Sequence, residues 1–361
     1  MLSPDLFSPL EISRYELHLR ARGSCDLPAF LGSTLRGAFG HALKEAVCVM
    51  DHRDCDRCMV ADRCIYPYLF ETPVPLNITQ LRGQKQAPHP FILAPPVLNF
   101  ETRKVWSMPA LSQQDAGMDS EADRPTAKTI PPFEQRRRFA AGDRLTFGLL
   151  LMGRAIEYLP YVVYAVSQMG RRGLGAGRAR FELGSVSLID EVGAKEIIYS
   201  DQFQRITIPA HAVKNLSDLI QARLDQLTVS NRLKLQFLSP TRIRVEGDLQ
   251  TGLSFELLAR NLLRRISMLA AVHSRAPLDL NYRGLIEQSA TMETHSSELN
   301  WWDWERYSNR QKTKMKLGGF AGEVVYEGKA IADFLSLVVA GEILHVGAGT
   351  SFGLGKYRIV E

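Results

Sequence analysis

Two stretches decide how this sequence is read: GLGAGRARFEL at residues 173–183 and SFGLGKYRIVE at residues 351–361. Gly175, Gly177, Arg178, Arg180 and Phe181 line up with Gly353, Gly355, Lys356, Arg358 and Ile359 as G-x-G-(basic)-x-R-(apolar). The offset, 353 minus 175, is 178 residues, close to half of the 361-residue length, which points to a duplicated unit. Glycine populates positive φ and lets a backbone or a phosphate come close, so each cluster marks an unusual turn or a ligand cradle. The spacing matches neither the P-loop nor the dinucleotide fingerprint.

Working outward, each glycine loop follows an apolar helical stretch and precedes a strand-like one. In the first half, SRYELHLRAR (13–22) alternates as a strand, and STLRGAFGHALKEAVC (33–48) carries Leu35, Phe39, Leu43 and Val47 on one helical stripe. FILAPPVLNFE (91–101) and DRLTFGLLLMG (143–153) read as strands, residues 106–132 as a mobile polar loop, and residues 154–170 as a helix. In the second half LKLQFLSPTRIRVEG reads as strand, SFELLARNLLRRISMLAAVH as helix, LNYRGLIEQSA and GGFAGEVVYEG as strands around WWDWERYSNRQKTKMK, and residues 329–342 as helix. Both halves thus follow the order β-α-β-β-α-β. The fold expected is α+β, two tandem ferredoxin-like (RRM-like) domains, each an antiparallel sheet with helices on one face. The boundaries expected are 1–195 and 231–361, joined by a connector at 196–230.

Composition narrows the class. A hydrophobic content of 45% supports packed cores in both halves. The longest apolar segments, such as Leu145 to Met152, are too short to span a bilayer. No basic segment followed by an apolar one opens the chain, so the expectation is a cytoplasmic protein with no membrane partner. The net charge of +5 permits an anionic partner without requiring one. Basic residues gather in EQRRRF (134–139), RRGLGAGRAR (171–180) and RQKTKMK (310–316), and any one of these runs alone is most simply a solvated surface.

Four of the five cysteines fall close together, Cys48, Cys55, Cys58 and Cys64, spaced C-x6-C-x2-C-x5-C inside an insertion at 48–66. In a chain without an export signal this density reads as a tetrahedral metal site rather than as disulfides. Zinc is the expected ion and an iron–sulfur cluster the alternative; with four thiolates the site would be structural, holding the insertion against the end of the first helix. Unlinked thiols are the plain reading against it.

Taken together, LRGAFGHAL, the run ending CIYPYLFE, GLGAGRARFEL, LSPTRIR, RNLLRRIS, RYSNRQKTKMKLGGFAGE and the C-terminal GTSFGLGKYRI resemble the CRISPR RAMP superfamily, in particular its endoribonucleases that process precursor CRISPR RNA. Ala348 stands where many relatives carry a basic residue. The resemblance implies a metal-independent endoribonuclease whose partners are CRISPR repeat RNA and other CRISPR effector proteins. The rival reading is a non-catalytic RAMP subunit that binds guide RNA in an effector complex. Cleavage in such relatives proceeds by attack of a ribose 2′-OH on the adjacent phosphate, leaving a cyclic phosphate and a 5′-hydroxyl. That chemistry needs an acid, a base and donors for the developing charge, and histidine suits proton transfer near neutral pH. His41, on the first helix off the apolar stripe and near Lys44, is the leading candidate; His345, just before the second glycine loop, and Tyr307 follow. Backbone amides of the loop at Gly347, Gly349, Gly353 and Gly355, with Lys356, are expected to cradle RNA backbone as an anion nest, and Arg178 to play a lesser part in a first loop dominated by packing. Lys44 is an expected RNA contact, Arg310, Lys312, Lys314 and Lys316 are the expected phosphate contacts of the insertion, and Trp301, Trp302 and Trp304 would stack bases or, more simply, pack beneath the sheet.

Overall fold

The structure is a computed structural model that describes residues 2–52, 54–75, 78, 86–97, 136–228, 230–303, 305–308, 313–316 and 318–360, the stretches 305–308 and 313–316 by main chain alone. The loop expected at 106–132, Trp304, Arg310 and Lys312 lie outside the described residues.

The first half begins with β1 (Glu11–Ala21), whose alternation buries Tyr15, Leu17, Leu19 and Ala21 on one face. α1 (Gly32–Val47) follows and presents Leu35, Phe39, Ala42 and Leu43 to the same core. β2 (Phe91–Ala94) is shorter than expected because Pro95 and Pro96 follow it and cannot donate to a ladder. β3 (Arg144–Met152), α2 (Leu159–Arg172) and β4 (Phe181–Ile189) complete the unit. The strands are antiparallel in the order β2-β3-β1-β4, and β5 (Lys195–Ser200) extends the sheet beyond β4.

The second half repeats this order. β6 (Arg232–Thr241) leads to α4 (Phe255–His273), which Ser254 caps by accepting from Leu257 N–H. β7 (Glu293–Trp302), β10 (Gly319–Glu327), α6 (Ile331–Leu344) and β11 (Tyr357–Val360) follow, and the antiparallel sheet runs β7-β10-β6-β11. In both halves the first strand is central, flanked by the third and the fourth. Between β7 and β10 the chain makes a hairpin of β8 (Glu305–Ser308) and β9 (Thr313–Lys316), with Tyr307 opposite Lys314 in register.

Two expectations change. LNYRGLIEQSA is not a strand but α5 (Tyr282–Ser289), started by Asn281, whose side chain accepts from Gly284 N–H, with Leu285 and Ile286 packed on the core one helical face at a time. The second strand is instead β7, whose sequence ETHSSELNWW has little apolar alternation because both of its faces are open over most of its length. The 196–230 segment does more than connect: most of β5 lies in it, Lys214–Asn215 pairs with β1, and α3 (Leu216–Leu224) closes on a capping box of Asn215 and Asp218.

Two cores result. One joins the face of the first sheet that carries Tyr15 and Leu17 to α1 and α2. The other surrounds α4 and α6 and reaches into the first half, enclosing Phe7, Ile12, Ile92, Leu150 and Met152. Each such aliphatic or aromatic side chain contributes roughly 1.5–3 kcal/mol when buried, so this shared core holds the halves together.

Candidate functional site

Both glycine loops close on the chain leading into α1. Gly175 has φ +69° and its aligned partner Gly353 has φ +80°, so the two loops share the left-handed turn that their common sequence suggests. Gly175 packs beside Leu27 and Pro28, just before α1. The carbonyl of Phe352 occupies the space a Cβ on Gly32 would need, so the second loop meets the first residue of α1 directly.

The second loop is an interlock rather than an open cradle. A Cβ on Gly353 would overlap the Pro95 ring and lie 2.6 Å from the Leu93 carbonyl oxygen; one on Gly349 would lie 2.9 Å from Leu354; those on Gly347 and Gly355 would overlap the carbonyls of Arg242 and Val346. Its main-chain donors are largely committed: Ala348 N–H to Arg242, Gly353 N–H to Thr350, Gly355 N–H to Pro240 and Lys356 N–H to the Ser239 hydroxyl. The expected anion nest at Gly347, Gly349, Gly353 and Gly355 is therefore filled by the protein itself. Lys356 is half-buried, and burial, opposed by Glu342, pulls its ammonium below the usual lysine value. The first loop is the more open of the two: Ala176, Gly177 and Arg178 are exposed, as are Arg171, Arg172 and Arg180. The ranking of the two loops is thus reversed from the sequence reading.

The histidines separate in the same way. His345 is 4% exposed, takes φ +59°, and donates Nδ1–H to the Leu354 carbonyl at 3.1 Å; burial first, then Lys356 and Arg265, push it down to about 3. It closes the end of α6 and is not placed to reach an RNA phosphate, which corrects its candidacy. His41 stands on the exposed face of α1, with exposed Gly37 one turn before it and Glu45 one turn after. Gly37 has open space where a Cβ would go. Glu45 pairs with Arg172 of α2. Of the other exposed histidines, His52 accepts from Asp54 N–H, His211 pairs with Glu196 and His295 with Glu327. Among the described histidines His41 alone is exposed with no hydrogen bond or ion pair. Lys44, three residues on, is half-buried with its ammonium 4.7 Å from the Tyr66 ring centre, turned toward the cysteine insertion rather than toward His41.

A network that sequence reasoning missed holds α1 in place. Arg36 donates from Nε to Ser351 Oγ at 3.0 Å and from Nη2 to His89 Nε2 at 3.0 Å, and its guanidinium lies 4.4 Å from the Phe352 ring centre and 5.1 Å from that of Phe70. His89 must accept from Arg36 and so donates Nδ1–H toward Thr72 Oγ1 at 2.8 Å, the neutral tautomer; burial, then Arg36, push it down to about 3. His273 is neutral too, at about 4 through burial, donating Nε2–H to the Pro88 carbonyl at 2.6 Å and accepting from the Tyr68 hydroxyl. Arg265, on α4 and 9% exposed, donates Nε to the carbonyls of Leu344 and His345 at 3.0 Å, capping α6. Only one signal for Arg36 was available in the sequence: an arginine set among apolar residues in LRGAFG.

Cys48, Cys55, Cys58 and Cys64 occupy one neighbourhood after α1. Burial raises the Cys64 thiol, which also feels Cys58 and Cys48, while Cys55 feels Cys64 and Lys44. Among the described residues, however, no three His, Cys, Asp or Glu side chains converge into a set that could hold an ion. The donor chemistry suits zinc, and the four thiols would have to move closer together to share an ion.

No helix among the described residues is long and apolar enough to cross a membrane.

Residues 10–211 match the family model AF_1859_N, described as an N-terminal domain, and residues 235–357 match the model described as CRISPR-associated endoribonuclease Cas6. An Archaeoglobus fulgidus protein described as "Uncharacterized protein" is 24% identical over 338 residues, covering 92% of each chain. A Thermus thermophilus Cas6 product complex aligns over 97% of this chain and 100% of its own at 15% identity and a TM-score of 0.50. A partial Cas6-RT-Cas1–Cas2 complex aligns over 98% of this chain and 46% of its own, at 13% identity and a TM-score of 0.54. At these identities the likeness to solved structures is one of fold. The AF_1859_N match spans more than half of the chain, so the chain belongs to that family, and its C-terminal part is similar to the CRISPR-associated endoribonuclease Cas6.

Proposed function

We propose that this protein, built as two tandem ferredoxin-like domains, is an endoribonuclease that binds CRISPR repeat RNA and cuts it, with His41 as the proton-transfer residue. The carrying observation is the uncommitted, exposed imidazole of His41 on a helix whose start is met by the second glycine loop and whose lead-in packs against the first. In the reaction the ribose 2′-OH gives up its proton, its oxygen bonds to phosphorus, the P–O5′ bond breaks, and the departing O5′ takes a proton. His41 serves one of those two transfers, a role that contributes roughly 10²- to 10⁴-fold. Arg171 and Arg178, exposed at the end of α2 and just beyond it, supply positive charge for the RNA backbone. Lys314, Lys316 and Tyr307 belong to the β8–β9 hairpin, which carries the remaining expected contacts. The four cysteines belong to the same proposal as a structural zinc site, supported by the shared neighbourhood of their thiols; binding would draw the 48–64 turns together.

The test is cleavage of repeat RNA in EDTA. His41→Ala should lose at least a hundredfold in rate while binding is retained, and a single deoxynucleotide just upstream of the cut should block cleavage. An unchanged rate for His41→Ala refutes the assignment, and tight binding without cleavage by the unaltered protein favours a guide-RNA subunit instead.

A further inference from the structure

The face of the first sheet turned away from α1 and α2 has two parts. At one end Ile12, Ile92, Leu150 and Met152 are buried in the core shared with the second half. At the other end the face is open, forming a groove of about 860 Å³. Its floor comes from β1, β3 and β4, and its wall from β5 and residues 201–207. The wall is ordered: Asp201 N–H donates to the Gly184 carbonyl at 2.8 Å, Gln204 N–H to Ser200 at 2.9 Å and Thr207 N–H to Ile198 at 2.9 Å.

The groove's charge is unbalanced in a way the fold does not need. Arg20 and Arg144 are directly opposed residues of β1 and β3, and both are exposed. Like charges in that position destabilise a sheet unless an anion lies between them. Arg205 adds a third guanidinium from the wall. Asp201, 3.8 Å from Arg20, is the carboxylate of the lining, which leaves the three arginines a surplus of two positive charges. The other acids on this face are committed: Glu16 to Lys195 and His18, and Glu182 to Arg22. Gly184 keeps the floor low beneath Arg20, and Ser185 and Ser187 add hydroxyls. At the rim Phe203 is 81% exposed, beside Ile197 at 67%. A largely exposed aromatic lining the same groove as three arginines is the combination that stacks a base while the backbone is held by charge.

We infer that this groove is a second RNA site, which takes a short unpaired segment with phosphates on Arg20, Arg144 and Arg205 and a base on Phe203. The inference rests on the RNA-binding reading above and adds a place, remote from His41 in the chain, where RNA not being cut is held. β5 and the 201–207 wall lie outside the β-α-β-β-α-β unit, so this is an addition to the fold rather than part of its repeat.

Fluorescence anisotropy of the full chain with a labelled eight-nucleotide oligouridine RNA tests it, alongside full repeat RNA. Phe203→Ala should weaken the short RNA about tenfold, within the range for loss of one stacked base. Arg20→Ala with Arg144→Ala should lower the slope of log affinity against log salt by about 1.4, as for two single-strand phosphate contacts. Photo-crosslinking of a 4-thiouridine version should mark the peptide containing Phe203. Equal affinity of both variants and the unaltered protein, with crosslinks elsewhere, overturns the inference. So does repeat RNA binding without any binding of the short RNA, or displacement of the short RNA by free uridine monophosphate at comparable concentration, which would make the groove a small-anion pocket. Failure to bind either RNA sinks the RNA reading as a whole.

Discussion

Gly353→Ala separates an interlock from an RNA cradle. At φ +80° an alanine pays roughly 1–2 kcal/mol for the left-handed backbone. Its Cβ would also overlap the Pro95 ring and press on the Leu93 carbonyl, an overpacking that costs about 1–3 kcal/mol. The sum, about 2–5 kcal/mol, corresponds to a melting temperature lower by on the order of 10 °C for domains of this size. Gly142 provides the control, since it has φ +90° with nothing within 4 Å of a Cβ, so Gly142→Ala should show the backbone cost alone. Thermal melts followed by circular dichroism, with RNA affinity measured well below the transition, give the answer. If Gly353→Ala melts no lower than Gly142→Ala but binds repeat RNA tenfold or more weakly, the loop is a cradle and the steric argument fails.

Acid should loosen the chain well before its carboxylates titrate. His89, His273 and His345 are held at about 3, 4 and 3, below their unfolded value of about 6.5, so the unfolded chain binds protons first; the stability from keeping them neutral is complete above about pH 6.5 and falls as pH drops toward 4. Each loses about 2 kcal/mol by pH 5, so the urea midpoint should drop sharply between pH 8 and pH 5, and a flat midpoint would contradict the neutral assignments. For the cysteines, protein purified without added metal should carry about one zinc per chain by elemental analysis, lost in Cys55→Ser with Cys58→Ser; no zinc in the unaltered protein would end that reading.

What could be read from the sequence was local or repeated. The order of strands and helices, and the left-handed turns at Gly175 and Gly353, follow from periodicity and from a motif that occurs twice. β7 was missed because ETHSSELNWW lacks an alternating apolar face, and α5 was misread because its three apolar or aromatic residues in eight, Tyr282, Leu285 and Ile286, fit either period. The binding role given to the second loop failed for a different reason. Glycines that admit a phosphate and glycines that admit a neighbouring backbone look alike in sequence, and the neighbours here, Leu93 and Pro95, come from 258 or more positions earlier in the chain. Arg36 was invisible on the same grounds: its partners Ser351 and His89 lie 315 and 53 residues away, and His273 meets Pro88 across 185.

These long-range contacts give the doubled architecture a mechanical meaning. α1 carries His41, yet the residues that fix where α1 begins are contributed by the far end of the chain: the Phe352 carbonyl against Gly32, Ser351 on Arg36, and Gly353 against the strand beside it. An acid or base must hold its position to within about an ångström, and a helix tethered only through its own half would be free to pivot on the packing of Leu35, Phe39 and Leu43. The first glycine loop packs on Leu27 and Pro28 just before α1 and the second meets Gly32 at its first residue, so contacts from both halves fix where the helix begins. In the proposed cleavage the second half would act by positioning, its glycine motif serving through the shape of its backbone rather than through the charge it might attract.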